Sequence, residues 1–171
     1  KGTLSYLTSI TQSDSLVFYL DAVQGSANTH IVKEQLVGTE YPPAIVNDAY
    51  LDWKPYKHEM FVYTQKSPMT IFNETKLNGF SKLTPSGMFG SGTLTLSSAD
   101  ITSKEFLFKH HELLSDAANL KIYSFDNKEV VFQTDNYRSH IDFKTRKGHF
   151  VSNGDVSEIF FVKNEFKTEA S

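Results

Sequence analysis

The chain has 171 residues, 39% hydrophobic and 22% charged, with 14 Phe and 8 Tyr, a balance that belongs to a folded chain with a core and excludes an intrinsically disordered one. A formal charge of −3 lacks the basic footprint needed to hold a phosphate backbone, so nucleic acid is not an expected partner. Cysteine is absent, which removes disulfides, thiol nucleophiles and thiolate zinc sites, and no apolar run approaches the roughly 18 residues of a membrane helix.

In chain order, the start Lys1-Gly2-Thr3-Leu4 has neither Met nor the short apolar region of a signal peptide and reads as a piece trimmed from a larger protein. Residues 15–20 (SLVFYL) and 60–63 (MFVY) predict strands, being rich in β-branched and aromatic side chains. Residues 31–36 read as a strand or a short helical turn, and Tyr41-Pro42-Pro43 as an extended stretch, since proline fixes φ and restricts its neighbour. Pro55, Pro68 and Pro85 punctuate the rest of the front half. Asn78-Gly79, Gly87, Gly90 and Gly92 mark a boundary between an irregular front sub-unit, 1–86, and a regular back sub-unit, 87–171, of one module spanning 1–171.

From Gly92 onward short runs recur, each closed by Ser, Asn, Asp or Gly: 93–96, 105–108, 119–123, 129–132, 140–143, 148–151 and 158–162. They predict half-buried strands. Asp126-Asn127, Asp135-Asn136 and Asn153-Gly154 sit where turns are needed, and Asn153-Gly154 suits a two-residue hairpin. A helix competes only over 110–118, where Glu112-Leu113-Leu114 and Ala117-Ala118 have helical propensity. The fold class is therefore all-β, either an antiparallel-rich sandwich or an elongated β-roll, a solenoid-like stack of short strands. Overlaying 2–29 on 92–119 aligns Gly2-Thr3-Leu4 with Gly92-Thr93-Leu94, Ser13 with Ser103, Phe18 with Phe108 and Ala27 with Ala117. Two related β units at a spacing of 90 positions, or chance similarity between β sequences, both account for this.

Gly79, Leu83-Thr84-Pro85, Gly87-Met88, Gly90, Gly92, Ala99, Ser103, Phe106 and Phe108, then Ile141-Asp142-Phe143, Arg146, Gly148, Phe150 and Ser152-Asn153, with Trp53, Pro55-Tyr56 and Pro68 in front, make the chain resemble a family. It comprises very large, exported proteins of Bacteroidetes-type bacteria whose function is uncharacterised. The resemblance implies a cell-envelope setting, periplasmic or surface-exposed; it carries no information about activity. Residues 141–154 also resemble one unit of the β-rolls of lipopolysaccharide-transport proteins. A lipid-conducting role of that kind requires a continuous apolar interior open at both ends.

His110-His111-Glu112, with His140, Asp142 and His149, is the densest set of ligand types, but no metal-ligand spacing links them and adjacent strand residues face opposite ways, so no metal is assigned. Carboxylates such as Asp48, Asp52, Glu59, Asp100, Asp116, Asp126, Asp135, Asp142, Asp155 and Glu158 fall in turns or alternating positions, and none is marked as a catalytic pair. Gly90-Ser91-Gly92 is not a nucleophile elbow, and Gly87 to Gly92 lacks the Lys-Ser/Thr ending and helix of a phosphate loop. Tyr41, Tyr50, Trp53 and Tyr56 cluster in a Pro-flanked region, either as core and rim or as a platform for sugar rings or a protein partner.

These features lead to a non-catalytic structural and interaction module without cofactor, not itself membrane-spanning, whose partners are neighbouring modules of the same chain or another envelope protein. The alternative is a carbohydrate-binding module using Tyr50, Trp53 and Tyr56 as an aromatic platform.

Overall fold

A period of two in side-chain polarity drives nearly the whole chain into strands, since alternate residues then meet a core and solvent. The structure, a computed structural model, describes residues 1–126 and 129–154 and the strand backbone of 157–161 and 166–170. The strands are β1 Gly2–Tyr6, β2 Ser9–Ser13, β3 Ser15–Phe18, β4 Val23–Val32, β5 Ala44–Lys54, β6 Glu59–Thr64, β7 Met69–Ile71, β8 Thr75–Thr84, β9 Gly87–Thr95, β10 Ala99–Phe108, β11 Glu112–Tyr123, β12 Val130–Asp142, β13 Lys147–Ser152, β14 Ser157–Phe161 and β15 Phe166–Ala170. All belong to one sheet, and every pairing is antiparallel.

The sheet is folded over on itself along a crease that crosses the long strands near their middles. Asp48 in β5 and Asn136 in β12 have φ of 53° and 59°, Gly79 in β8 and Gly92 in β9 have φ of 148° and 129°, and the register jumps between Ser103 and Phe106 and between Ser115 and Ala118. Such bulges bend a strand and raise its twist. At Gly79 and Gly92 the two backbones also approach so closely that an added Cβ would lie 2.0 Å from Ser91 O and 2.1 Å from Asn78 O respectively. Thr64 Oγ1 seals this point by accepting the Gly79 N–H at 2.9 Å and donating to Gly79 O at 3.0 Å.

On one side of the crease lie β1, β2, β7 and one half of each long strand; on the other lie β3, β6, β13 and the remaining halves. The two layers face each other. Tyr6 of β1 meets Trp53 of β5 at a ring separation of 5.4 Å, and Ser9 Oγ lies 3.7 Å from Met60 Sδ. Leu51, Met60, Val62, Met69, Leu77, Leu83, Met88, Leu94, Phe106 and Phe108 are fully buried between the layers. A loop at 33–43 closes the open side over the front strands, where Tyr41 Oη donates to Thr84 O at 2.6 Å and Thr39 Oγ1 to Pro85 O at 2.8 Å.

The fold class is all-β, as the alternation predicts, in the antiparallel form. The short strands expected from Gly92 onward are mostly halves of longer ones. Residues 129–132 and 140–143 are the two ends of β12, and Asp135-Asn136 bends that strand where a turn was expected, with Asn136 N–H donating to Asn119 Oδ1 at 3.1 Å. Among the described residues Asn153-Gly154 closes no hairpin: β13 and β14 pair with opposite halves of β12. Asn127, Asp155 and Val162, and the side chain of Glu158, lie outside the described residues. The helix competing over 110–118 is instead the start of β11, because partners on both sides, β10 and β12, satisfy its backbone and bury Leu113 and Ser115; such tertiary pairing overrides helical propensity. The sheet runs through the 86/87 junction unbroken, since β8 and β9 pair from Lys76↔Thr95 to Thr84↔Gly87.

The two segments that overlay at 90 positions adopt the same pairing. Gly2↔Ser13, Leu4↔Thr11, Thr11↔His30, Ser9↔Val32 and Phe18↔Val23 correspond to Gly92↔Ser103, Leu94↔Ile101, Ile101↔Leu120, Ala99↔Ile122 and Phe108↔Leu113. The loop bonds correspond as well: Tyr19 N to Ala22 O and Lys33 N to Thr8 O match Lys109 N to Glu112 O and Tyr123 N to Ser98 O. At the crease Ser13 Oγ accepts the Ser15 N–H at 3.0 Å, and Ser103 Oγ accepts the Glu105 N–H at 3.1 Å. The segments 2–32 and 92–122 are thus one structural unit used twice.

Candidate functional site

β5 carries most of the expected platform, and its alternation decides where each ring points. Tyr50 is half-buried on the outer face, opposite Tyr63 of β6 at a ring separation of 6.5 Å. Trp53, an odd number of residues away, points inward against Tyr6, and its buried Nε1–H has no hydrogen-bond partner among the described residues. Tyr56 sits in the 3-10 turn Pro55–Lys57 and is 81% exposed. The structure therefore does not bring Tyr50, Trp53 and Tyr56 onto one face. Tyr41 is buried in the closing loop.

Two other aromatic arrangements exist. On the outer face Tyr50, Tyr63, Phe61 and Phe80 form a cross-strand row with ring separations of 5.4 to 6.5 Å, and Lys54 and Lys82 lie over Phe61 at 5.1 and 5.9 Å. Such pairs stabilise a sheet face that no other described strand covers. Beside it, Tyr19 and Tyr56 flank an open recess of about 370 Å³ with Asp21, Gln24, Lys54 and Lys57 on its walls. Gln24 Nε2 donates to Asp52 Oδ1 at 3.1 Å and Lys54 Nζ lies 3.3 Å from the same carboxylate, so the polar side chains are held in place.

The His110 and His111 rings lie 3.5 Å apart, but the histidines do not gather into one ligand set. His110 Nε2 pairs with Glu34, His140 Nε2 lies 3.4 Å from Glu112, and His149 is opposite His140 on β13. Asp142 accepts the backbone N–H groups of Lys144 and Thr145 at 2.8 and 3.1 Å, and hydrogen bonding from Thr145 is the main reason its carboxyl is held below the ordinary value. Among the described residues no group of three or more His, Asp or Glu side chains is placed to hold a metal ion. His30, by contrast, is wholly inside: Nδ1 lies 2.8 Å from Thr11 Oγ1, Nε2 has no partner among the described residues, and burial pushes its pKa down to about 4.

Between the layers of the back strands lies a cleft of about 520 Å³ lined by Ile101, Leu120, Ile122, Ile141, Phe143 and Phe150. It does not continue forward as a conduit, because Met60, Leu77, Leu83 and Met88 fill the interior there.

The most conspicuous surface is apolar. Among the described residues β3 pairs only with β4, which leaves its other side an open edge there, and Val17, Phe18, Tyr19 and Leu20 are exposed by 51%, 71%, 57% and 97%. An unbroken apolar run at 16–20, where an edge strand should alternate or carry charge, was the available signal. Fold and surfaces define a class, an antiparallel sheet folded into two layers and open at an apolar edge. Comparison with protein-family models, curated proteins and solved structures gives no match.

Proposed function

We propose that this chain is a non-catalytic structural and interaction module of a large bacterial envelope protein, periplasmic or surface-exposed, supplying rigid length and lateral contact to neighbouring modules. The observation that carries the reading is the form of the sheet: among the described residues β3 and β1 each keep one unpaired side at the front of the two layers, so both layers can be continued by another unit of the same kind. Sharing an interface couples the stability of neighbours in such stacks. A length of the parent chain carrying this unit with its neighbours is expected to unfold in one transition, above the melting temperature of the unit alone. Separate transitions at the temperatures of the isolated parts would contradict it, as would hydrolysis of any member of a glycan and peptide library in the presence of divalent metals.

A second reading, carbohydrate binding, is favoured by the recess between Tyr19 and Tyr56, whose exposed rings adjoin the fixed polar groups of Gln24 and Lys54. Aromatic faces beside polar groups suit a sugar ring. On a glycan array the wild type is expected to bind and Tyr56→Ala, still folded, to lose binding at least tenfold. Silence from both proteins removes this reading.

A further inference from the structure

The twofold use of one unit makes the front edge interpretable, because its counterpart inside the sheet is occupied. In the back copy, β10 carries Phe106, Leu107 and Phe108 across the crease, and the first half of β9 lies beside them in the register Gly90↔Phe106, Phe89↔Leu107 and Met88↔Phe108. Met88 and Phe108 are fully buried, and Gly90 leaves room for the Phe108 ring, which an added Cβ would meet at 2.7 Å. In the front copy Leu16, Val17 and Phe18 take the places of those three residues, since Phe18↔Val23 matches Phe108↔Leu113. β1, the counterpart of the second half of β9, pairs with β2 up to Gly2↔Ser13. Beside β3, where the first half of β9 would have its counterpart, there is no strand among the described residues. Phe18 is consequently 71% exposed where Phe108 is 0%.

We infer that β3 is an acceptor edge: it takes an extended strand of a neighbouring β unit of the same polypeptide, running antiparallel to it and in line with β1. Two alternate inward residues of that strand, apolar or small, cover Phe18 and Leu16 as Met88 and Gly90 cover Phe108 and Phe106. The inference rests on the module reading for the source of the strand. The chemistry is that of strand addition: main-chain hydrogen bonds to the open side of β3 give affinity, and inward side chains give selectivity. Asp14 and Asp21 flank the edge and leave the strip between them uncharged, as an apolar strand requires.

The protein supplies its own probe, since residues 87–90 (GMFG) are the strand that fills the corresponding place in the back copy. Gly-Met-Phe-Gly joined ahead of Lys1 is expected to raise the melting temperature by about 4 °C or more over the same protein preceded by Gly-Ser-Gly-Ser, and to slow amide exchange in Ser15–Phe18. Phe18→Asp, a change at an exposed position that leaves the fold standing, is expected to abolish the gain. Equal melting temperatures and equal exchange in the two extended proteins overturn the inference. So does a finding that the unextended protein protects β3 only as a concentration-dependent dimer, which would make a second copy the occupant. A hydrolytic activity would remove the module reading and leave the strand gain intact, whereas a missing gain with a silent library screen removes only the acceptor edge.

Discussion

Phe18 and Phe108 hold the same position in two copies of one unit, and the first is 71% exposed while the second is wholly buried. Local sequence and pairing do not explain the difference, because their partners across the hairpin, Val23 and Leu113, correspond too and are both buried. The neighbour on the other side does. In a folded sheet each strand contributes half of a packing site, so an end strand keeps its fold and loses its cover. The same contrast holds at Gly2 and Gly92: a Cβ on Gly2 meets nothing within 4 Å, whereas one on Gly92 runs into the backbone of β8.

The contrast can be broken by substitution, and the largest effect belongs to the buried ring. Phe108→Ala is expected to cost about 3–5 kcal/mol, as loss of a large core aromatic does, and to lower the denaturant midpoint accordingly. Phe18→Ala should stay within about 0.5 kcal/mol, the range of ordinary surface changes. Comparable losses at both sites would mean that Phe18 is covered.

The next effect is acid sensitivity from His30, which takes the place in the front copy that Leu120 takes in the back. Its pKa is lowered to about 4 from 6.5, so the folded state holds the ring neutral and the unfolded chain binds the proton first. Stability is therefore full above pH 6.5, declines as pH falls, and has lost its His30 share near pH 4, roughly 3 kcal/mol in all. Urea midpoints measured from pH 7.5 to 4 should show this slope, and His30→Leu should flatten it. An unchanged slope in the variant would assign the acid loss elsewhere.

Smaller still, Gly92→Ala is expected to cost roughly 2 kcal/mol, since a φ of 129° is strained for any residue with a Cβ and the added carbon would lie 2.1 Å from Asn78 O. Gly2→Ala should be neutral in the same melting experiment. Equal effects would deny that the crease, with its tight backbone crossing, is what separates the two positions.

Much of this was legible in the residues. Alternation identified the strands of the back half, and the 90-position overlay found the true unit through Gly2, Ser13 and Phe18. The crease was not legible, because it uses the chemistry of turns: a positive φ at Asn136 bends β12 while the chain continues forward, and an Asn in a hairpin offers the same local signal. Which of the two results depends on whether a distant strand continues alongside. The platform failed for a different reason. Tyr50 and Trp53 are three residues apart, so in any regular strand they face opposite ways, but Pro43 and Pro55 on either side made a strand there look improbable. β5 tolerates both prolines because they stand just outside it, before Ala44 and after Lys54. The exposed edge carries no marker of reactive chemistry, since the large side chains it presents, Val17, Phe18 and, just beyond β3, Tyr19 and Leu20, are apolar or aromatic.

β3 is the uncovered counterpart of the end of β10 among the described residues, and residue-resolved amide exchange on the unextended protein at low concentration tests this most directly. The account predicts strong protection at Phe106–Phe108, with partners on both sides, and exchange on the order of 100-fold faster or more at the outward amides of Ser15–Phe18, since local opening is easiest where packing and pairing are incomplete. Equal protection at both sites in a monomer would contradict it.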